Sequence, residues 1–188
     1  MKATHDSTLQ AMTLLVRDSS LSRLKILSGR DNITISEMSV EPLVFGHWMS
    51  FILGSGKSLR IIFKAHFMTD AARYFAAKTY KAYKEKISQE QALDFVREFC
   101  NLTAGQIKLD LDRNNVVIGA SLPGITRGFD EIFYPQRPGS IRKCWSLVAS
   151  SEKFGAEKIN CSTNIEILEP FVFKKTESGD ASGEVEYL

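Results

Sequence analysis

The segment from Ser88 to Leu111 constrains the fold more than any other stretch. Ser88-Gln89-Glu90-Gln91 fits the capping box, in which a Ser and a Gln three residues on satisfy each other's backbone amides and open a helix. At about 100° per residue, Phe95, Phe99, Leu102 and Leu109 make one apolar flank of that helix. Leu93, Val96, Cys100, Ile107 and Leu111 make the other. Only a narrow polar strip is left, holding Asp94, Arg97, Glu98, Asn101, Gly105, Lys108 and Asp112. Asp94, Glu98 and Asn101 therefore stand in one outward row. The helix runs to about Leu111 and stops near Asn114-Asn115.

Around this helix the expected order is helix, strands, two helices, strands. Asp6 caps a short helix over residues 5–17, with Leu9, Met12, Leu15 and Val16 at helical spacing. A strand-like pattern covers Asn32 to Leu43. A hairpin follows, His47 to Leu53 and Ser58 to Phe63, turning at Gly54-Ser55-Gly56. Thr69 opens a helical pattern that reaches about Tyr83. Beyond the long helix come the short apolar stretch Val116 to Ile118 and a Pro/Gly-rich loop through Gly139. Two long strands follow, near Ile141 to Ser150 and Ala156 to Leu168. This order predicts a single α+β domain over residues 1–173 with a mostly antiparallel sheet. Residues 174–188, rich in Ser, Gly and acidic side chains, predict a flexible tail. Each half also has a helix followed by a Trp-containing strand (Trp48, Trp145), a faint internal repeat.

Composition removes whole classes. In 188 residues, 24 Lys plus Arg balance 22 Asp plus Glu, a net charge of +2, and 44% of residues are hydrophobic. The chain is too apolar to stay disordered and too balanced to be held to nucleic acid by charge. No apolar run is long enough to span a bilayer, and no apolar signal segment follows the N-terminus. Cys100, Cys144 and Cys161 are odd in number and far apart, so a reducing cytoplasm is the expected compartment. His5, His47 and His66 show no metal-ligand spacing. In such a compartment the sequons at Asn32, Asn101 and Asn160 carry no meaning.

Two short motifs read as structure. Gly54-Ser55-Gly56-Lys57-Ser58 looks like the end of a phosphate-binding loop, but Phe51 stands where that loop needs Gly, and Leu59-Arg60-Ile61-Ile62-Phe63 is β-like instead of helical. Ser22-Arg23-Leu24-Lys25 fits Ser-x-x-Lys without its companion motifs and reads as a helix end. The polar strip is less ordinary. A mid-helix Gly costs on the order of 1 kcal/mol relative to Ala, and Gly105 lies one turn past Asn101 on the same side. Either a neighbouring helix of the same molecule packs there, or something outside must approach closely.

The strip resembles the CheX/CheC/FliY family of bacterial chemotaxis phosphatases. That family carries [D/S]-x-x-x-E-x-x-N on a helix, and this chain reads Asp94-Phe95-Val96-Arg97-Glu98-Phe99-Cys100-Asn101, continued by Leu102-Thr103-Ala104-Gly105. Ala120-Ser121-Leu122-Pro123-Gly124 is similar to the Ser-Leu-Pro segment of CheX-type members. The resemblance covers about Met1 to Pro170 in element order and about Ala92 to Gly128 in residue detail.

The resemblance implies a CheC-like fold and hydrolysis of the phospho-aspartate of a CheY-like response regulator. Asn101 would orient the attacking water, and Glu98 would dock on the regulator's active-site Lys. Asp94, Arg97, Gly105 and Lys108 would contact the partner. Any Mg2+ would sit on the regulator, so no cofactor or metal is expected on this chain, and a homodimer is implied. The family's second motif would fall on Asp6 to Thr13, where Gln10 and Thr13 replace Glu and Asn and Arg17 stands at the Gly105 position. That implies one active surface per chain. The alternatives are a non-catalytic adaptor for a receiver domain or flagellar partner, and a self-associating module using an exposed edge strand.

Overall fold

The computed structural model describes residues 2–38, 47–133, 139–151 and 155–173. Its helices are α1 (Lys2–Ser28), α2 (Thr69–Thr79) and α3 (Gln89–Asp112). Its strands are β1 (Ile33–Glu37), β2 (Trp48–Gly56), β3 (Leu59–Phe67), β4 (Ile118–Ala120), β5 (Gly124–Arg127), β6 (Ile141–Ser151) and β7 (Gly155–Ile167). They form one seven-stranded sheet in the order β1-β6-β7-β3-β2-β4, with β5 also paired to β2. Every pairing described is antiparallel. The fold is thus α+β, as the element order predicted.

The strand order also exposes the internal repeat. Each half runs helix, first strand, long hairpin: α1-β1-β2-β3, then α3-β4/β5-β6-β7. The two hairpins meet through β3 and β7 at the centre. Each half's first strand is laid on the other half's hairpin, β1 on β6 and β4/β5 on β2. Such non-local exchange leaves no trace in local sequence pattern.

The core lies between the helices and one sheet face. Phe63, Ala65 and Phe67 of β3, Trp145 and Leu147 of β6 and Ile159 and Cys161 of β7 are buried there. Against them pack Met12, Val16 and Leu24 of α1, Phe75 of α2, and Val96, Phe99 and Ile107 of α3. Phe63 meets Phe99 edge-on at 5.7 Å and stacks on Trp145 at 6.3 Å. Trp145 Nε1 in turn donates to Ser20 Oγ at 3.1 Å. Among the described residues no helix is long and apolar enough to cross a membrane.

Several boundaries differ from expectation. The first helix extends past residue 17 to Ser28. Ser22-Arg23-Leu24-Lys25 therefore lies inside the helix, and the serines on either side donate back to helical carbonyls, Ser20 to Arg17 and Ser28 to Leu24. It stops at Gly29, whose φ of 61° permits the reversal that closes a helix end. The β2–β3 turn falls at Lys57-Ser58, and Gly54 and Gly56 belong to the strand. The reason is close approach. A Cβ on Gly56 would lie 2.2 Å from the Val117 carbonyl oxygen, and one on Gly54 would lie 2.7 Å from Ile61 Cγ2. The α2 helix ends at Thr79, short of Tyr83, because Lys81 turns left-handed (φ 49°). β1 covers Ile33–Glu37 of the Asn32–Leu43 pattern; residues 39–43 lie outside the described residues, as do 134–138 of the Pro/Gly-rich loop and the expected tail at 174–188.

Candidate functional site

The site is built on α3, and α3 is fixed from its first turn. Ser88 Oγ accepts from the Gln91 amide at 3.1 Å, and Gln91 Oε1 accepts from the Ser88 amide at 2.9 Å, so the capping box forms in full. Ala92, Phe95, Val96, Phe99, Cys100, Thr103, Ile107 and Leu111 are buried along one face. Burial pushes the Cys100 thiol up to about 12, an effect that a hydrogen bond with the Ser50 hydroxyl of β2 reduces. On the α1 side, Arg23 donates to Gln106 Oε1, and Gln106 Nε2 donates to Asp110 Oδ2 at 2.8 Å. The helix is therefore gripped by the sheet on one flank and by α1 on another. Side chains on its remaining face are held by a rigid support.

That remaining face is the polar strip. Asp94, Glu98, Asn101, Gly105 and Lys108 are all exposed, and Arg97 is half-buried. Asn101 Nδ2 donates to Glu98 Oε2 at 3.4 Å, a long bond that sets the two groups side by side. The amide oxygen is then the part of Asn101 suited to accept a hydrogen bond from water. Arg97 Nη1 pairs with Asp94 Oδ1 at 2.6 Å, so these opposite charges answer each other within the row. Tyr80 lies nearby, its pKa raised first by partial burial and second by the Asp94 carboxylate.

Gly105 resolves the choice left open by the sequence. A Cβ built there meets nothing within 4 Å. No helix of the described chain packs against it, so among the described residues the packing explanation fails and the space above Gly105 is open. Leu109 corrects another expectation: placed on an apolar flank by periodicity, it is 46% exposed. Its signal was available, since it stands four residues past Gly105 and eight past Asn101.

The counterpart row on α1 has different chemistry. Asp6 and Gln10 are exposed, but the Thr13 hydroxyl donates to the Leu9 carbonyl at 2.9 Å. Arg17 reaches Glu37 at 2.9 Å. The described residues contain no cluster of His, Cys, Asp and Glu able to hold a metal ion, and all three cysteines are free and buried.

The fold recurs in solved structures. A chain of the CheX–CheY–BeF3–Mg2+ complex from Borrelia burgdorferi is similar at 15% identity, over 82% of this chain and 97% of that one, with a TM-score of 0.63. The chain has the CheC-like fold. A CheC-like superfamily protein from Shewanella sp. PV-4 is similar at 16% identity over 82% and 97% of the two chains, TM-score 0.61. The chemotaxis protein CheX from Vibrio vulnificus is similar at 14% identity over 83% and 99%, TM-score 0.64. No protein-family model and no curated protein matches the chain. At such identities the likeness is one of fold, and in the CheC-like fold of this chain the Asp94–Gly105 row lies on the outward side of α3.

Proposed function

We propose that this chain hydrolyses the phospho-aspartate of a CheY-like receiver domain by inserting Asn101 and Glu98 into the receiver's active site. One observation carries the reading: a carboxylate and an amide stand exposed side by side on the rigid outer face of α3. The fold supports it, because a similar chain belongs to a structure that joins CheX to CheY.

The chemistry suits so small an apparatus. Phosphoryl transfer asks a catalyst mainly to hold the nucleophile in line and to stabilise negative charge. The receiver's own Mg2+ and Lys provide the second. Asn101 provides the first, its amide oxygen accepting a hydrogen bond from the water whose oxygen attacks phosphorus. The aspartyl oxygen leaves as carboxylate, and inorganic phosphate and a proton are released. Glu98 pairs with the receiver's Lys and so fixes where Asn101 arrives. Precision matters here, since a displacement of about 1 Å can cost on the order of 100-fold. The Asp94–Arg97 ion pair keeps Arg97 turned along the helix, away from the cation that Glu98 is to meet. Lys108 adds positive charge that steers toward an acidic receiver surface.

The test uses receiver domains from the same organism, each phosphorylated, with their phosphoryl lifetimes measured with and without this chain. Shortening by wild type and loss of that effect in Asn101→Ala supports the reading. Binding without any shortening would leave an adaptor that keeps the docking surface and lacks the hydrolysis.

A further inference from the structure

We infer that the contact with the phosphorylated receiver continues past Asn101 along α3, with Gly105 as a notch and Leu109 as an apolar anchor that sets partner affinity. This rests on the reading of Glu98 and Asn101 as the reactive pair and adds a second, chemically different patch to the same face.

The argument begins with the helix itself. Asn101, Gly105 and Leu109 follow one another at intervals of four, so they form one column spanning about 12 Å at about 1.5 Å per residue. Glycine is a poor helix former, and its use is explained when another chain must come close. No atom of the described chain uses the space above Gly105. A scattered exposed leucine needs no explanation, but Leu109 is not scattered. It borders the notch, on a strip whose other members are polar, while Leu111 two residues on is fully buried.

The neighbours of Leu109 are already committed to the chain's own structure. Gln106 and Asp110 are tied to each other, Gln106 to Arg23, and Asp110 Oδ1 to Arg113 at 3.2 Å. These bonds hold the last two turns of α3 firmly, so Leu109 is presented without a cost in helix ordering. Beyond Glu98 and Asn101, the column therefore offers close backbone approach and then an apolar side chain on a firmly held helix. A receiver that docks its reactive end on Asn101 meets both. An exposed apolar residue of the receiver, about 12 Å from its phosphoryl group, fits this geometry.

The experiment titrates wild type, Leu109→Asp, Gly105→Met and Asn101→Ala against receiver domains loaded with Mg2+ and beryllofluoride. It also follows phosphate release from the phosphorylated receivers. Leu109→Asp and Gly105→Met should each weaken binding by about tenfold or more, the scale of an interface anchor. In phosphate release that loss should fall on KM. Gly105→Met has a second readout that a merely structural role would not give: it should melt at a higher temperature than wild type while binding less well. Asn101→Ala should instead lose turnover. Unchanged affinity in both Leu109→Asp and Gly105→Met, with Asn101→Ala still impaired in turnover, overturns the extended contact and leaves the reactive pair standing. If wild type neither binds nor dephosphorylates any receiver, the reading beneath it falls as well.

Discussion

Replacing Gly105 with alanine should make the protein more stable. The magnitude follows from two facts about the site. Glycine inside a helix is about 1 kcal/mol less favourable than alanine. A Cβ at Gly105 meets nothing within 4 Å, so the added methyl brings neither a clash nor appreciable burial. The propensity difference should therefore appear almost undiminished, as about 1 kcal/mol of added stability. For a chain of this size that corresponds to about 2–4 °C in Tm. Urea unfolding followed by far-UV circular dichroism would show it as a higher midpoint with an unchanged m value. A midpoint that stays put or falls would mean that the space above Gly105 is occupied within the molecule. The outward reading of the row would then lose its main physical support.

Other substitutions probe how α3 is held. Ser88→Ala removes the hydroxyl that accepts from the Gln91 amide and should cost about 1 kcal/mol, with faster hydrogen exchange at the amides of the first turn. Phe99→Ala opens a cavity beside Phe63 and should cost about 3–5 kcal/mol by urea unfolding; a loss below about 1 kcal/mol would show that Phe99 is not clamped in the core. The Cys100 thiol is raised by burial from 9.0 to about 12. A group whose folded pKa is raised contributes stability that is complete below the unfolded pKa and is lost as pH rises toward the folded value. Stability should thus fall between about pH 9 and 12, and Cys100→Ser should show a shallower fall in that window. Thiol reagents at pH 8 should label wild type only as fast as it opens.

The long helix was legible because its signals are local. The capping box at Ser88, the two apolar flanks and the polar strip all follow from neighbours within a turn or two. Asp94, Glu98, Asn101 and Lys108 accordingly point outward where periodicity put them. Features set by distant partners were not legible in this way. Gly54 and Gly56 look like turn residues, yet the contacts that require them come from Ile61, Ile118 and Val117, the last two far along the chain. The apolar spacing of α1 fades after Val16, and only packing such as Trp145 on Ser20 shows why the helix goes on. Leu109 is apolar and so was placed with the core. Its spacing of four and eight residues past Gly105 and Asn101 was the signal that set it on the exposed side. The exchange of first strands between the halves is a topological fact with no local signature at all.

The central claim is that Asn101 orients water for hydrolysis on a receiver. Its most direct test is the lifetime of the phosphoryl group on receiver domains from the same organism, with wild type and Asn101→Ala compared on the one that responds. The account predicts that wild type shortens the lifetime of at least one receiver and that Asn101→Ala binds the same receiver without shortening it. Equal activity of Asn101→Ala, or no shortening on any receiver by wild type, would contradict it.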